Sequence, residues 1–220
     1  MNARANERRR LITAAGLVAC AASMVAPRLT ASQAPVPRTL DLSTAITYFI
    51  APGNPQSGFR SGDDQLARWA LNAWQRTVGT PAQLRPAPEK NALIRLYWAG
   101  PREGQYGETE YLAIDGKRGA RVFVRPDLAA LGPDIADRGR ADTLFRDSVV
   151  YLTCVHELGH AFGLEHTRDF RDIMYAFGYG GDIVEYFGRY RRQLKNRDDI
   201  AAHSGLSDAD TARTKTLYAR

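Results

Sequence analysis

The 220-residue sequence predicts an α+β domain preceded by a short processing segment. Runs rich in β-branched and aromatic residues, as at 44–50 (TAITYFI) and 92–98 (ALIRLYW), supply the β character. Longer stretches with apolar residues at helical spacing, at 63–78 and from about 141–142 to 162, supply the α character. A basic start and a short uncharged run set residues 1–34 apart from the domain at 35–220.

In chain order, Arg4, Arg8, Arg9 and Arg10 stand against Glu7, and an uncharged run fills 11–26. That run shows no polar face, which argues against an amphipathic helix of the folded domain. It is also too short for a comfortable membrane span, so it describes an export signal to the periplasm or the exterior. Leu17-Val18-Ala19-Cys20 resembles a bacterial lipobox, which would lipidate Cys20 and anchor the chain to a membrane. The alternative is an ordinary signal-peptidase cut between roughly residues 26 and 34, which discards Cys20. Arg8-Arg9-Arg10-Leu11 weakly resembles a twin-arginine signal, although the basic residues alone explain it.

Either route leaves Cys154 without an obvious partner, so no structural disulfide is expected and Cys154 reads as a small buried residue. No run of 18 apolar residues occurs elsewhere, so the mature chain is expected to have no transmembrane span. Residues 1–34 hold five arginines and one acid, leaving 25 basic and 23 acidic residues, a balance of +2. The high pI therefore gives little support to nucleic-acid binding.

Residues 33–39, with Pro35 and Pro37, suit an extended linker before the first strand. Residues 51–58 are turn-rich. Leu66, Ala70, Leu71, Trp74 and Val78 then repeat at helical spacing, with a cap-like acidic start at 61–64 and Gly79 as the stop. Trp69 and Trp74 read as packing residues. After the strand at 92–98, residues 100–119 suggest a solvated loop around a short hairpin. Residues 120–125 (ARVFVR) alternate as a strand, and 126–140 suggest a loop. Leu144, Val149, Leu152 and Val155 form the apolar side of the next helix. Beyond residue 176 one or two short helices with a basic middle are expected, and Ser207 caps a final helix reaching Tyr218.

The chemistry is concentrated in HELGHAFGLEH, residues 156–166. His156 and His160 lie four apart, on one face of a helix, and can offer imidazoles to one metal ion. Gly163 can take a positive φ, so the helix stops and His166 returns to the same ion. Three protein ligands with a fourth position for water is the arrangement of a catalytic zinc. Glu157 sits about one hundred degrees round the helix from His156, off the ligand face, and suits a general base for zinc-bound water. An isolated HExxH recurs by accident; five fixed positions rarely do. His203 has no spacing partner and reads as a surface residue.

HELGHAFGLEH resembles the HExxHxxGxxH signature of the metzincin zinc endopeptidases. Met174-Tyr175, eight and nine residues after His166, resembles the methionine turn of the matrixin branch, and Thr167 is nearest to the serine of matrixins. Ala176 departs from the Met-Tyr-Pro that matrixins tend to have. The motifs cover 156–175, and similarity of element order extends over about 40–220. The resemblance implies a metzincin-like fold: a small twisted mixed sheet, two main helices above the cleft, and a small C-terminal subdomain with a terminal helix. It implies an exported endopeptidase with His156, His160 and His166 on zinc, Glu157 as general base, Met174 beneath the metal, and a peptide or protein as substrate.

The same resemblance implies that the strand at 120–125 is the edge that pairs with an extended substrate. Tyr175 and Phe177 are the expected walls of the specificity pocket. Glu103, Glu108, Glu110 and Asp115 make a weak calcium candidate, with no ligand ladder among them. Segment 176–205 reads either as a solvated helical face or as an insertion shaping the cleft. The region before residue 40 is short and lacks a cysteine-switch motif. Two other functions stay open. One is a catalytically silent or occluded scaffold used as a secreted binding module, against which the retained Glu157 and three ligands argue. The other is a zinc hydrolase of cell-wall peptides, although an edge strand favours extended peptides.

Overall fold

The computed structural model describes residues 37–79, 82–100 and 106–219. The export-signal, lipobox and linker readings of residues 1–36, Cys20 included, lie outside the described residues.

Five strands make one sheet: β1 (Ile46–Ile50), β2 (Leu84–Pro86), β3 (Ile94–Trp98), β4 (Gly107–Ile114) and β5 (Lys117–Val124). Their order is β2-β1-β3-β5-β4, with every pair parallel except β4 and β5. Alternation explains β3, where Ile94, Leu96 and Trp98 are buried and the residues between them are half-exposed. Helices α1 (Asp63–Val78) and α3 (Thr143–Ala161) are the two long ones; they pack on each other, and α3 lies against β4 and β5. This mixed sheet with segregated helices is the α+β fold expected from the sequence.

The helix pattern at 63–78 holds: Leu66, Ala70, Leu71 and Trp74 are buried, and Trp74 Nε1 donates to Val155 O at 2.8 Å. The acidic start does not cap α1 as expected. Gly62 occupies the cap at φ 96°, and Asp63 turns inward to pair with Arg146 of α3. That buried charge pair locks α1 to α3.

Three expectations need correction. The strand taken for the substrate-pairing edge is an interior one: β5 lies between β3 and β4, and the edges are β2 and β4, of which β4 is the one beside α3. Within the stretch read as a loop, residues 107–119 hold more strand than expected, because β4 pairs with β5 over its eight residues through a turn at Asp115-Gly116, φ 50° and 74°. Residues 126–140 also hold more structure, a 3-10 turn at Leu128–Leu131 followed by α2 (Pro133–Ala141). Pro133 opens α2, where its missing N–H costs nothing, and Ile135, Ala136 and Gly139 are its buried face.

Asp142 caps α3 by accepting from Phe145 N at 3.0 Å. Cys154 is buried and free, and burial pushes its thiol pKa up, as suits an inert core residue. After the motif come α4 (Ile183–Arg191), α5 (Asp199–Ala202) and α6 (Asp208–Tyr218), the last with a capping box between Ser207 and Asp210. The arginines after residue 188 are not simply solvated. Arg191 reaches Asp142 at 2.8 Å, and Arg197 reaches Asp147 at 2.8 Å and Gly62 O at 2.7 Å. They tie the 176–205 segment to α3 and α1. No helix among the described residues is long and apolar enough to cross a membrane.

Candidate metal centre and cleft

Helix α3 delivers His156 and His160 from one face, and the chain leaves the helix at Phe162. Gly163 has φ 99°, and a Cβ there would stand 2.5 Å from Arg38 O, so both backbone angle and space require glycine. The turn brings His166 back. Its Nε2 lies 3.2 Å from His156 Nε2 and 3.1 Å from His160 Nε2.

The outer nitrogens are fixed by carbonyls. His156 Nδ1 lies 2.6 Å from Ile173 O, and His160 Nδ1 lies 2.9 Å from Leu164 O. A carbonyl only accepts, so each Nδ1 carries the hydrogen and each Nε2 keeps a lone pair pointing inward. Lone pairs facing one another at these distances are unfavourable without a cation between them. Ligands about 2.05 Å from a tetrahedral zinc stand ~3.3 Å apart, close to the spacing of this cluster. Burial, and the neighbouring His160, push the pKa of His156 down to about 3. Burial lowers those of His160 and His166 as well. All three imidazoles are therefore neutral, the form a metal binds. Among the described residues this is the one grouping of side chains able to hold a metal ion. Glu108, Glu110 and Asp115 gather into no second site, and Glu103 lies outside the described residues. Calcium gains no support.

Glu157 leaves α3 beside the histidines rather than among them, against β4, and its residue is only 6 % exposed. Thr109 Oγ1 donates to its Oε2 at 2.8 Å. Burial raises the carboxyl pKa to about 7, opposed by the Thr109 bond and reinforced by Glu108. A carboxylate poised near neutrality suits a group that takes and returns a proton.

Met174 is fully buried beneath the motif. A Cβ on Gly159 would stand 2.3 Å from its sulfur, so α3 rests directly on Met174. Thr167 N donates to Met174 O at 2.8 Å, and Tyr175 OH donates to Gly180 O at 2.8 Å. The turn is held from below by α6: Ile173 N donates to Asp210 Oδ2 at 2.8 Å, and Arg213 pairs with Asp172 at 2.9 Å. From α4, Tyr186 OH donates to Asp172 O at 3.0 Å and lies 3.2 Å from Ile173 O, which also accepts from His156.

These supports escaped sequence reasoning, as did Gly107 and Thr109. Ser207 marked a cap in the sequence, but nothing local said that Asp210, its partner in the capping box, also holds the methionine turn. A cleft of about 440 Å³ runs past the three histidines and Glu157, bordered by Thr109 on one side and Tyr175, Phe177 and Phe187 on the other. Tyr175 and Phe177 both line this cleft. His203 is apart from the cluster.

A family model described as matrixin matches residues 41–204. The chain is 30% identical over 143 residues to a macrophage metalloelastase of Oryctolagus cuniculus, covering 61% of this chain and 28% of that protein. It is 25% identical over 161 residues to an interstitial collagenase of Aquarana catesbeiana, covering 72% of this chain and 36% of that protein. An interstitial collagenase of Bos taurus is 26% identical over 144 residues, 64% of this chain and 29% of its own length. The chain thus spans about a third or less of the curated relatives it matches. With its histidine cluster, methionine turn and mixed sheet, and with the family model matching most of its length, this chain belongs to the matrixin family.

Proposed function

We propose that the chain is an exported zinc-dependent endopeptidase. The observation that carries the reading is the placement of three neutral, inward-facing imidazoles and a buried glutamate in one open cleft beside an edge strand. Zinc held by His156, His160 and His166 would supply the Lewis acidity that polarises a scissile carbonyl and acidifies a water. Glu157 takes the proton of the attacking water and returns it to the leaving amine nitrogen. Strand β4 offers its unpaired edge to an extended peptide backbone, which supports a peptide rather than a compact amide as substrate. Tyr175, Phe177 and Phe187 favour a large apolar side chain beside the metal.

Zinc analysis of the purified chain, with peptide-library cleavage run in the presence and absence of chelator, tests this reading. One zinc per chain with chelator-sensitive cleavage is the expected result; cleavage that chelator leaves untouched would overturn it. Glu157→Gln should keep zinc and lose nearly all turnover, and substantial residual peptidase activity would refute the assigned proton path. The open cleft argues against an occluded binding scaffold. Export rests on the basic start and apolar run of residues 1–26, with the cut at 26–34 and lipidation of Cys20 as its two forms. The mass of the mature N-terminus distinguishes them.

A further inference from the structure

Strand β4 meets the Glu157 carboxylate with two residues of one face, Gly107 and Thr109, and each treats a different oxygen. Thr109 Oγ1 lies 2.8 Å from Oε2 and 2.9 Å from Glu157 O. A threonine hydroxyl has one hydrogen to give, and the charged carboxylate competes for it better than a carbonyl already engaged in its helix. Oε2 is therefore held. Oε1 has no hydrogen-bond donor among the described residues, and the group faces the cleft. At the neighbouring position, a Cβ on Gly107 would stand 2.4 Å from Oε1, so any other residue would cover that oxygen or displace it.

We infer that Gly107 and Thr109 divide the two oxygens of Glu157, with Thr109 as a positioning residue that anchors Oε2 so that Oε1 is presented bare to the substrate water. The inference rests on the endopeptidase reading and deepens it. No proton passes to Thr109: the water's proton goes to Oε1 and leaves from Oε1. The Thr109 hydrogen stays on Oγ1 throughout. Without that hydroxyl, a carboxylate this buried can rotate, and the two oxygens lose their distinct roles. The position matters for turnover more than for substrate binding, because the peptide pairs with the backbone of β4 rather than with its inward face.

The test uses the full chain with zinc loaded and compares Thr109→Val, Thr109→Ala and Thr109→Ser on one cleaved peptide. Valine keeps the shape and removes the hydroxyl; serine restores it. Loss of a hydrogen bond to a buried charged group predicts a fall in kcat of roughly 10- to 100-fold for the valine variant, with KM within about twofold. Zinc content should stay at one per chain, and serine should recover kcat to within about threefold of the parent. The inference is overturned if valine leaves kcat within about twofold of the parent, or if serine is as slow as valine. Loss of zinc from the valine variant, or failure of both the valine and alanine variants to fold, would make Thr109 a structural residue and overturn it equally. A parent chain that cleaves nothing sinks the endopeptidase reading and this inference together, whereas a cleaving parent with an unimpaired valine variant sinks this inference alone.

Discussion

Replacing Asp63 with asparagine should destabilise the domain severely, because it strips one partner from a charge pair closed to water. The side chains of Arg146 and Asp63 are 3 % and 1 % exposed. Two guanidinium nitrogens meet the two carboxylate oxygens, with Arg146 Nη2 to Oδ2 at 2.7 Å. Burial alone disfavours the Arg146 charge, but the bonds and charge of Asp63 outweigh it and leave its pKa raised. Asparagine keeps the shape and can still accept from Arg60 N, which donates to Oδ2 at 2.8 Å. What is lost is the charge and the acceptor facing Arg146 Nη1, where the amide NH2 now stands. Removing one partner of a buried pair costs about 3–5 kcal/mol. Asp147 lies 3.3 Å from Arg146 and offsets part of that, so the lower end, about 3 kcal/mol, is expected.

For a domain of this size, ~3 kcal/mol lowers Tm by roughly 6–12 °C. Calorimetry on the zinc-loaded chain measures it. Replacing both partners together, Asp63→Leu with Arg146→Met, should cost less than Asp63→Asn alone, because no orphan charge is left inside. An asparagine variant melting within about 2 °C of the parent would refute the view that this pair clamps α1 to the metal-binding helix.

Gly159→Ala sets two effects against each other: helix propensity favours alanine by about 1 kcal/mol, while overpacking costs about 1–3 kcal/mol. With Met174 sulfur 2.3 Å and Trp74 Cζ2 2.9 Å from the new carbon, overpacking wins. A less stable variant that yields zinc more readily to a competing chelator is expected, and a more stable one would contradict it. Asp142→Ala should cost about 1 kcal/mol at neutral pH through loss of the α3 cap. Burial raises the Asp142 pKa, but the Phe145 N–H and Arg191 outweigh it, so the folded value lies below the ordinary 3.8. A depressed pKa stabilises the fold above the ordinary value and ceases to do so as pH falls through the lowered one. The gap between Asp142→Ala and parent, read by urea denaturation, should therefore narrow below about pH 4; a gap constant from pH 7 to pH 2 would refute the charge contribution.

The metal centre was legible because its information is local. Two histidines four apart share a helix face in any protein, and Gly163 announces the turn that returns a third. The helix carrying them has apolar residues enough to fix its span to within a residue or two, and Ser207 marked the last helix by its cap. The short α2 was not legible: nine residues with only Ile135, Ala136 and Gly139 buried leave too little period to detect beside a glycine and a proline. The arginines of the 176–205 segment misled for a different reason. A charge run ordinarily means a solvated face, and only the tertiary approach of Asp142 and Asp147 turns Arg191 and Arg197 into ties.

The substrate edge is the most instructive failure. Residues 120–125 carry the stronger strand signal, Val122, Phe123 and Val124, because an interior strand is paired on both sides and buries Ala120, Val122 and Val124 on one face. An edge strand reads weakly for the same physical reason: Glu108 and Glu110 give β4 the charge that guards an exposed edge against pairing with other chains. Ranking strands by hydrophobicity therefore selects the interior strand and passes over the β4 edge that borders the cleft. The cue that would have recovered it is Asp115-Gly116, a hairpin turn signal between two eight-residue runs. Once that hairpin is drawn, Gly107 and Thr109 fall two apart on one face, and only the packing of that face against α3 brings them to Glu157. Glu157 was thus legible from its own helix, while Gly107 and Thr109, which meet its carboxylate, belong to a strand whose charged edge hid it.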